Sequence, residues 1–401
     1  MEDYMKMKEQ RKKQKRTGWV GMAVLLLFLS VASPVFAQEP FNSAAESAIL
    51  MEASTGQILY GKNVDTPLPP ASITKIMTLL LGFEALENGS AHLEDQVTVS
   101  EKAWRTGMKG SEMFLDVGSK VPLRDILTGI SVVSANDGCV ALAEHLYGSE
   151  EAFVGQMNKR AKELGMTHTE FKNCNGLPAA GHHMSAHDIA ILARYLITNY
   201  PKVLELESTK QLTFNGIYQK NRNPLLENYP GADGLKTGWT EEAGFCLVGT
   251  AKKDGMRLIS VVLKTRDEKE RLAASKELLD FGYQNFELTE IAKKGKEIGE
   301  IPVRNGRETT VPVKINESIT AAVPKSHKAD IKISAVPSDK PISAPVAAGK
   351  TVGKAEVRLG KDVLATADIS TTKKVEKIGF ITKLIRGIAD FFRSLFKVSK
   401  A

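Results

Sequence analysis

The chain has 401 residues, 42% apolar and 25% charged, with a net charge of +7. That length suits two domains, and these fractions are ordinary for a globular protein. Three cysteines (Cys139, Cys174 and Cys246) are too few and too odd for a disulfide framework, and none belongs to a cluster with metal spacing, so buried, inert thiols are expected.

The charge is unevenly placed. Residues 1–37 carry a net +4 and residues 373–401 a net +6, which leaves −3 between them. A mildly acidic body argues against nucleic acid as a partner, and a basic tail suits an anionic surface.

The first residues speak to compartment. Seven bases, from Lys6 to Arg16, precede an apolar run from Trp19 to Val31, then Pro34 and Val35-Phe36-Ala37. This is the layout of a secretory signal peptide cut after Ala37, since the run falls short of the roughly 20 residues a membrane span needs. An exported protein is expected, held at the outer face of the cytoplasmic membrane or in the cell wall.

An N-terminal strand is predicted at Ala48–Glu52, then Gln57–Tyr60, followed by a largely helical middle. Pro69-Pro70-Ala71-Ser72-Ile73-Thr74-Lys75 opens an apolar helix, with Ser72 in its first turn. Another helix starts at Ser185-Ala-His-Asp188, a capping-box-like sequence. Just before it, His182, His183 and His187 cluster, but with no carboxylate or cysteine at ligand spacing a loop-and-cap role is favoured over a metal. Gly244–Thr250 and Arg257–Leu263 alternate as neighbouring strands joined at Asp254-Gly255, and a helical pattern from Lys269 to Phe281 follows.

Beyond Phe286 the character changes. No Phe, Trp or Tyr occurs from 287 to 379, and short alternating segments at Thr310–Ile315, Asp330–Ser334 and Ala355–Leu359 predict a small all-β sandwich with a thin Val/Ile core. Last, Ile378, Ile381, Ile385, Ile388, Phe391, Phe392, Leu395 and Phe396 recur at three- and four-residue steps among lysines and arginines. A basic amphipathic helix of this kind lies in a membrane interface. The expected organisation is a signal peptide over 1–37, a catalytic domain over 38–283, a β-sandwich over 284–373 and an anchor helix over 374–401.

The chemistry starts at Ser72 and Lys75, which are i and i+3 and so share a helix face. The helix start supplies free N–H groups, and apolar neighbours favour a neutral Lys75 that could take the serine proton. Alone, this pair could equally be a polar helix start and a snorkelling lysine. It is followed by Ser134-Ala135-Asn136 and then by Lys236-Thr237-Gly238. Ser-x-x-Lys, Ser-x-Asn and Lys-Thr-Gly in that order are the signature set of penicillin-binding proteins and serine β-lactamases.

More narrowly, the chain resembles the low-molecular-mass D-alanyl-D-alanine carboxypeptidases, the penicillin-binding protein 5-like serine peptidases. The resemblance rests on Ala71–Thr78, Ser134–Asp137, Asn175–Pro178, Asp233–Thr240 and Ala243-Gly244, and covers about residues 45 to 283. It implies an α/β (α+β) penicillin-binding/β-lactamase-like transpeptidase fold with a helical subdomain, with the β-sandwich and amphipathic helix attached. It implies Ser72 as nucleophile, Lys75 as general base, Ser134 as second catalytic serine, and Asn136 holding Lys75 and a substrate amide. Lys236, Thr237, Gly238, Trp239 and Thr240 would bind substrate, the Ser72 and Trp239 amides forming the oxyanion hole. Many relatives have histidine where this chain has Trp239, so only the backbone role carries over. Arg266 matches an arginine near the family's site, with a surface salt bridge as the competing role.

The activity so implied is removal of the terminal D-alanine from peptidoglycan stem peptides ending in D-Ala-D-Ala, without a cofactor or metal, with β-lactams as covalent ligands. Alternatives are a β-lactamase (Glu170 and Asn173 resemble part of its deacylating loop), a D,D-transpeptidase or endopeptidase, and a non-catalytic wall-binding protein.

Overall fold

The computed structural model describes residues 41–339, 341–385 and 388. The expected signal peptide over 1–37 lies outside the described residues, as does most of the expected anchor helix.

The catalytic region is built on one five-stranded antiparallel sheet. Its strands are β1 (Ser47–Glu52), β2 (Ile58–Lys62), β3 (Ala232–Thr240), β4 (Gly244–Lys253) and β5 (Met256–Thr265), in the order β2-β1-β5-β4-β3. The β4–β5 turn falls at Asp254-Gly255, as predicted, with φ of +50° and +82°. Positive φ at both central residues matches the right-handed twist of the paired strands. Arg257 on β5 reaches across β4, bonding Asp233 at 2.6 and 2.7 Å and the Thr250 hydroxyl at 3.0 Å. That bidentate pair ties the start of β3 to the sheet.

Helices cover the sheet: α1 (Lys75–Glu87), α2 (Glu101–Gly107), α3 (Leu123–Val132), α4 (Asn136–Tyr147), α5 (Glu150–Glu163), α6 (Ala186–Asn199), α7 (Val203–Glu207) and α8 (Glu268–Asn285). α1 is buried almost all round, with Ile76, Met77, Leu79, Leu80 and Leu81 in one core with Ile49 and Val261 of the sheet. A helix apolar on every side has to be central. Ser185 caps α6 by accepting from Asp188 N–H at 3.1 Å, and Asp267 caps α8 by accepting from Glu270 N–H at 2.8 Å. The middle is less purely helical than expected, since Gln96–Thr98 pairs antiparallel with Lys120–Pro122 across α2, and a hairpin pairs Gln211–Phe214 with Ile217–Lys220.

The all-β region follows α8 directly. β6 (Phe286–Ala292) pairs with β9 (Ile319–Pro324). β7 (Glu297–Arg304), β8 (Thr310–Ile315), β10 (Ile331–Pro337), β11 (Ile342–Ser343), β12 (Thr351–Leu359) and β13 (Asp362–Thr371) form a second sheet, in the order β10-β12-β13-β8-β7-β11. Its core is Val, Ile and Ala only. The ladder continues past residue 373. Val375 is fully buried in that core and bridges Val346, and Ile378 N–H donates to the Asn305 carbonyl. Residues 380–385 are helical, with Phe380, Ile381, Leu384 and Ile385 exposed.

Candidate active site

Four separate segments meet at one end of β3. The turn that carries Ser72 is a 3-10 turn, Ala71–Thr74, that passes directly into α1. Ala71 has φ of +48°, a conformation that side chains disfavour. It is held there by close packing, because a β-carbon on Gly176 would lie 1.8 Å from the Ala71 carbonyl oxygen. Glycine is therefore required at 176. The Ser72 N–H stands ahead of the turn's first hydrogen bond, Ile73 N–H to the Pro70 carbonyl at 3.2 Å.

Lys75 is fully buried, and its Nζ lies 2.8 Å from Ser72 Oγ, 2.8 Å from Asn136 Oδ1 and 2.5 Å from the Asn175 carbonyl oxygen. Asn136 Oδ1 and the Asn175 carbonyl can accept only, so in the neutral amine they take its two N–H groups and leave its lone pair toward the Ser72 hydroxyl. Burial pushes Lys75 below its ordinary value, against the opposing pull of Cys139, Cys174 and Asp137.

Ser134 sits in the short link between α3 and α4 with φ of +62°. Its hydroxyl is buried and has no hydrogen-bond partner among the described residues. A buried unpartnered hydroxyl costs about 1–3 kcal/mol, and strained backbone adds to that, a combination that gathers at reacting centres. Beside it, Asp137 accepts from the backbone N–H groups of Met113, Leu115 and Gly138, while Asn136 N–H donates to the Ser111 carbonyl at 2.8 Å. These bonds lay residues 111–115 over the site.

β3 brings the third motif. Lys236 and Thr237 are buried, and Lys236 Nζ donates to the Thr237 carbonyl at 3.2 Å. A β-carbon on Gly238 would meet Pro70 O at 2.9 Å and Ser72 N at 3.2 Å, so the strand passes the serine turn at contact distance. Trp239 is 57% exposed, its ring resting on Phe245 at 5.9 Å, and Thr240 accepts from Ala243 N–H at 3.0 Å.

Arg266 differs from the rest. It is exposed just beyond β5, and its described partner is Glu270 at 3.0 Å, not a residue of the cluster. Glu170 lies on the surface paired with Lys172, and the Asn173 side chain is turned onto the 175–177 loop. The three histidines part company. His182 is buried against Thr74, Nε2 to Oγ1 at 2.8 Å, and burial lowers it to about 4, so it is neutral; His183 and His187 face Gly181 and Asp65. His182 thus buttresses the serine turn, a role its sequence neighbourhood did not suggest. The thiols of Cys139, Cys174 and Cys246 are all buried and free, burial raising each above its ordinary value.

A half-buried serine on a buried lysine, with a second serine and a strand-borne lysine nearby, places this fold among the penicillin-binding serine peptidases. The chain belongs to the D-alanyl-D-alanine carboxypeptidase family, whose pattern matches residues 34–267, and residues 286–377 match the C-terminal domain of penicillin-binding protein 5. It is 37% identical over 378 residues to the D-alanyl-D-alanine carboxypeptidase DacF of Bacillus subtilis, covering 91% of this chain and 96% of that one. It is 36% identical to DacA of Escherichia coli, over 88% of this chain and 89% of that one. The structure of penicillin-binding protein 5 from Haemophilus influenzae superposes with a TM-score of 0.77 at 37% identity, over 84% of this chain and 99% of that one. Penicillin-binding protein D2 from Listeria monocytogenes, solved with ampicillin bound, covers 61% of this chain and all of that one, with a TM-score of 0.56 at 31% identity.

Proposed function

We propose that this chain removes the terminal D-alanine from peptidoglycan stem peptides through an acyl-enzyme on Ser72, in cell-wall synthesis and remodelling. The observation that carries this reading is the Lys75 amine, fully buried and 2.8 Å from the Ser72 oxygen. The Ser72 hydroxyl passes its proton to neutral Lys75 as Oγ attacks the penultimate D-Ala carbonyl. The Ser72 and Trp239 amides meet the oxyanion, and Lys236 and Thr237 the terminal carboxylate. The Ser134 hydroxyl gives its proton to the leaving amine and regains one from Lys75, so the C–N bond breaks, D-alanine departs and Lys75 is again neutral. Water then attacks the Ser72 ester with its proton passing through Lys75 back to Ser72 Oγ, which frees the shortened peptide. A β-lactam, which carries a strained amide and a carboxylate, would acylate the same serine.

The test is mass spectrometry of the products from a pentapeptide ending in D-Ala-D-Ala. Loss of a single D-alanine is expected. A cross-linked product would favour a D,D-transpeptidase, cleavage within a cross-link an endopeptidase, and no reaction a wall-binding protein. The outward pairing of Glu170 with Lys172 speaks against a β-lactamase, which needs a dedicated deacylating base at the serine.

The export reading and the membrane anchor belong to the same proposal. The exposed apolar residues from Phe380 to Ile385, with Ile388, support an in-plane helix that meets lipid. Because Val375 is part of the β core, the informative truncation is after Gly379. The truncated enzyme should stay soluble and keep its activity on small peptides. Full-length protein should bind anionic vesicles, resist a high-salt wash and come off in detergent; full-length protein that stays in solution with such vesicles overturns the anchor.

A further inference from the structure

The Ser72 N–H is one arm of the proposed oxyanion hole, so the direction in which it points matters to the reaction. A peptide unit is planar, and in its trans form the C=O and N–H point opposite ways. The Ser72 N–H therefore points away from the Ala71 carbonyl, and whatever grips that carbonyl aims the donor. The local backbone does not hold this arrangement unaided. Ala71 has φ of +48°, which a residue with a side chain keeps only where its surroundings impose it. On the other side, a β-carbon on Gly238 would lie 3.2 Å from the Ser72 nitrogen, which thus stands against β3, one residue from the Trp239 amide.

A chain of three hydrogen bonds ends on that carbonyl. Lys172 N–H donates to His182 Nδ1 at 3.3 Å, His182 Nε2 lies 2.8 Å from Thr74 Oγ1, and Thr74 Oγ1 donates to the Ala71 oxygen at 2.9 Å. The proton count fixes its direction. Burial keeps His182 neutral, so its ring carries one proton, and an Nδ1 that accepts from Lys172 leaves that proton on Nε2. Nε2–H then donates to Thr74, whose single hydroxyl proton is free for Ala71. In the opposite tautomer Thr74 would spend its proton on the ring, and the Ala71 carbonyl would lose its donor. The ring is held in place. It stands edge-on to Phe171 at 5.9 Å, and the backbone after it is laddered on both sides, His183 with Glu170 and Met184 with Leu68. Leu68 is two residues ahead of Pro70, so the same ladder delivers the chain to the serine turn.

We propose that His182 and Thr74 are positioning residues for the acyl-transfer reaction, aiming the Ser72 N–H at the oxyanion through their grip on the Ala71 carbonyl. Their effect passes through a backbone peptide and not through contact with substrate. A donor fixed before the reaction costs no reorganisation when the negative charge develops. The inference rests on the Ser72 acyl-enzyme reading.

Thr74→Val keeps the shape and removes the hydroxyl, Thr74→Ser keeps the hydroxyl, and His182→Phe keeps a ring against Phe171 and removes both nitrogens. Stopped flow follows acylation by penicillin, and infrared difference spectroscopy reads the ester carbonyl stretch of the adduct. Hydrogen bonds to a carbonyl oxygen lower its stretching frequency, so the band reports on the oxyanion hole itself. In Thr74→Val and His182→Phe the acylation rate constant should fall about 10-fold or more, short of the roughly 10²–10³ lost with a whole oxyanion donor, while the affinity of the preceding non-covalent complex is unchanged. The band should move to higher frequency in both, and Thr74→Ser should keep the wild-type rate and band. A rate and band that stay in place in either variant, even with a lower melting temperature, mean that the pair only packs the turn and overturn the proposal. If the variants do not fold, 15N NMR of the wild-type histidine rings decides: a proton on Nε2 of His182 supports the proposal and a proton on Nδ1 overturns it. Labelling of wild-type Ser72 by penicillin separates the two levels. An unlabelled wild type sinks the acyl-enzyme reading and this proposal with it, whereas a labelled wild type with an unmoved band in the variants sinks only the role of His182 and Thr74.

Discussion

A Ser72→Ala enzyme is expected to take up no covalent penicillin and to lose carboxypeptidase turnover by about 10⁴-fold or more, the scale seen when a nucleophile is removed. The structure gives reason to expect that this variant folds. The serine turn is shaped by its surroundings, with Gly176 pressed on the Ala71 carbonyl and His182 on Thr74, and not by the Ser72 side chain, whose described partner is Lys75. Wild-type protein should carry the penicillin adduct for long times. Glu170, the residue that resembles a deacylating base in sequence, is paired with Lys172 at the surface, and Asp137 is occupied by backbone N–H groups. Intact-mass measurement before and after mixing with penicillin reads both points. An adduct on the Ser72→Ala enzyme, or rapid drug hydrolysis with no adduct on the wild type, would remove Ser72 from its assigned role.

Much of the site can be read along the chain because each motif is local. Ser72 and Lys75 meet through helical periodicity, and Lys236 and Gly238 share a face through strand alternation. The β4–β5 hairpin is legible from Asp254-Gly255, and the thin β core from the missing aromatics. What stays hidden depends on contacts between distant segments. The third partner of Lys75 is the Asn175 carbonyl, a backbone atom with no signature of its own. Gly176 announces only a turn, and its packing on Ala71 emerges only when two loops are brought together. Asp233 belongs to a motif but has no evident job there until Arg257 reaches it across a strand. The hairpin at 211–220 escapes a sequence reading because its strands are short and mostly exposed, so they bury no clear stripe.

Replacement of Lys75 by arginine should lower acylation of Ser72 by at least about 10²-fold, the low end for loss of a general base. Arginine keeps the positive charge and can still donate to Asn136 and Asn175, but it does not deprotonate in the working range. The variant therefore separates charge from basicity. Burial holds Lys75 below its ordinary value, so the free-amine fraction rises as pH climbs through that lowered value, and activity falls away below it. Stability follows the same sign. Between the lowered value and the ordinary one the unfolded chain binds a proton at Lys75 that the folded chain does not, so this lysine's contribution to stability increases with pH and is smallest in acid. An arginine there remains charged in both states and removes that slope. Stopped-flow acylation across pH checks the first point: wild type should show a rising limb, and Lys75→Arg a low rate without that limb. Near-normal acylation by the arginine enzyme would reduce Lys75 to a structural cation and transfer the proton to another group, for which Ser134 and its neighbours would have to be searched.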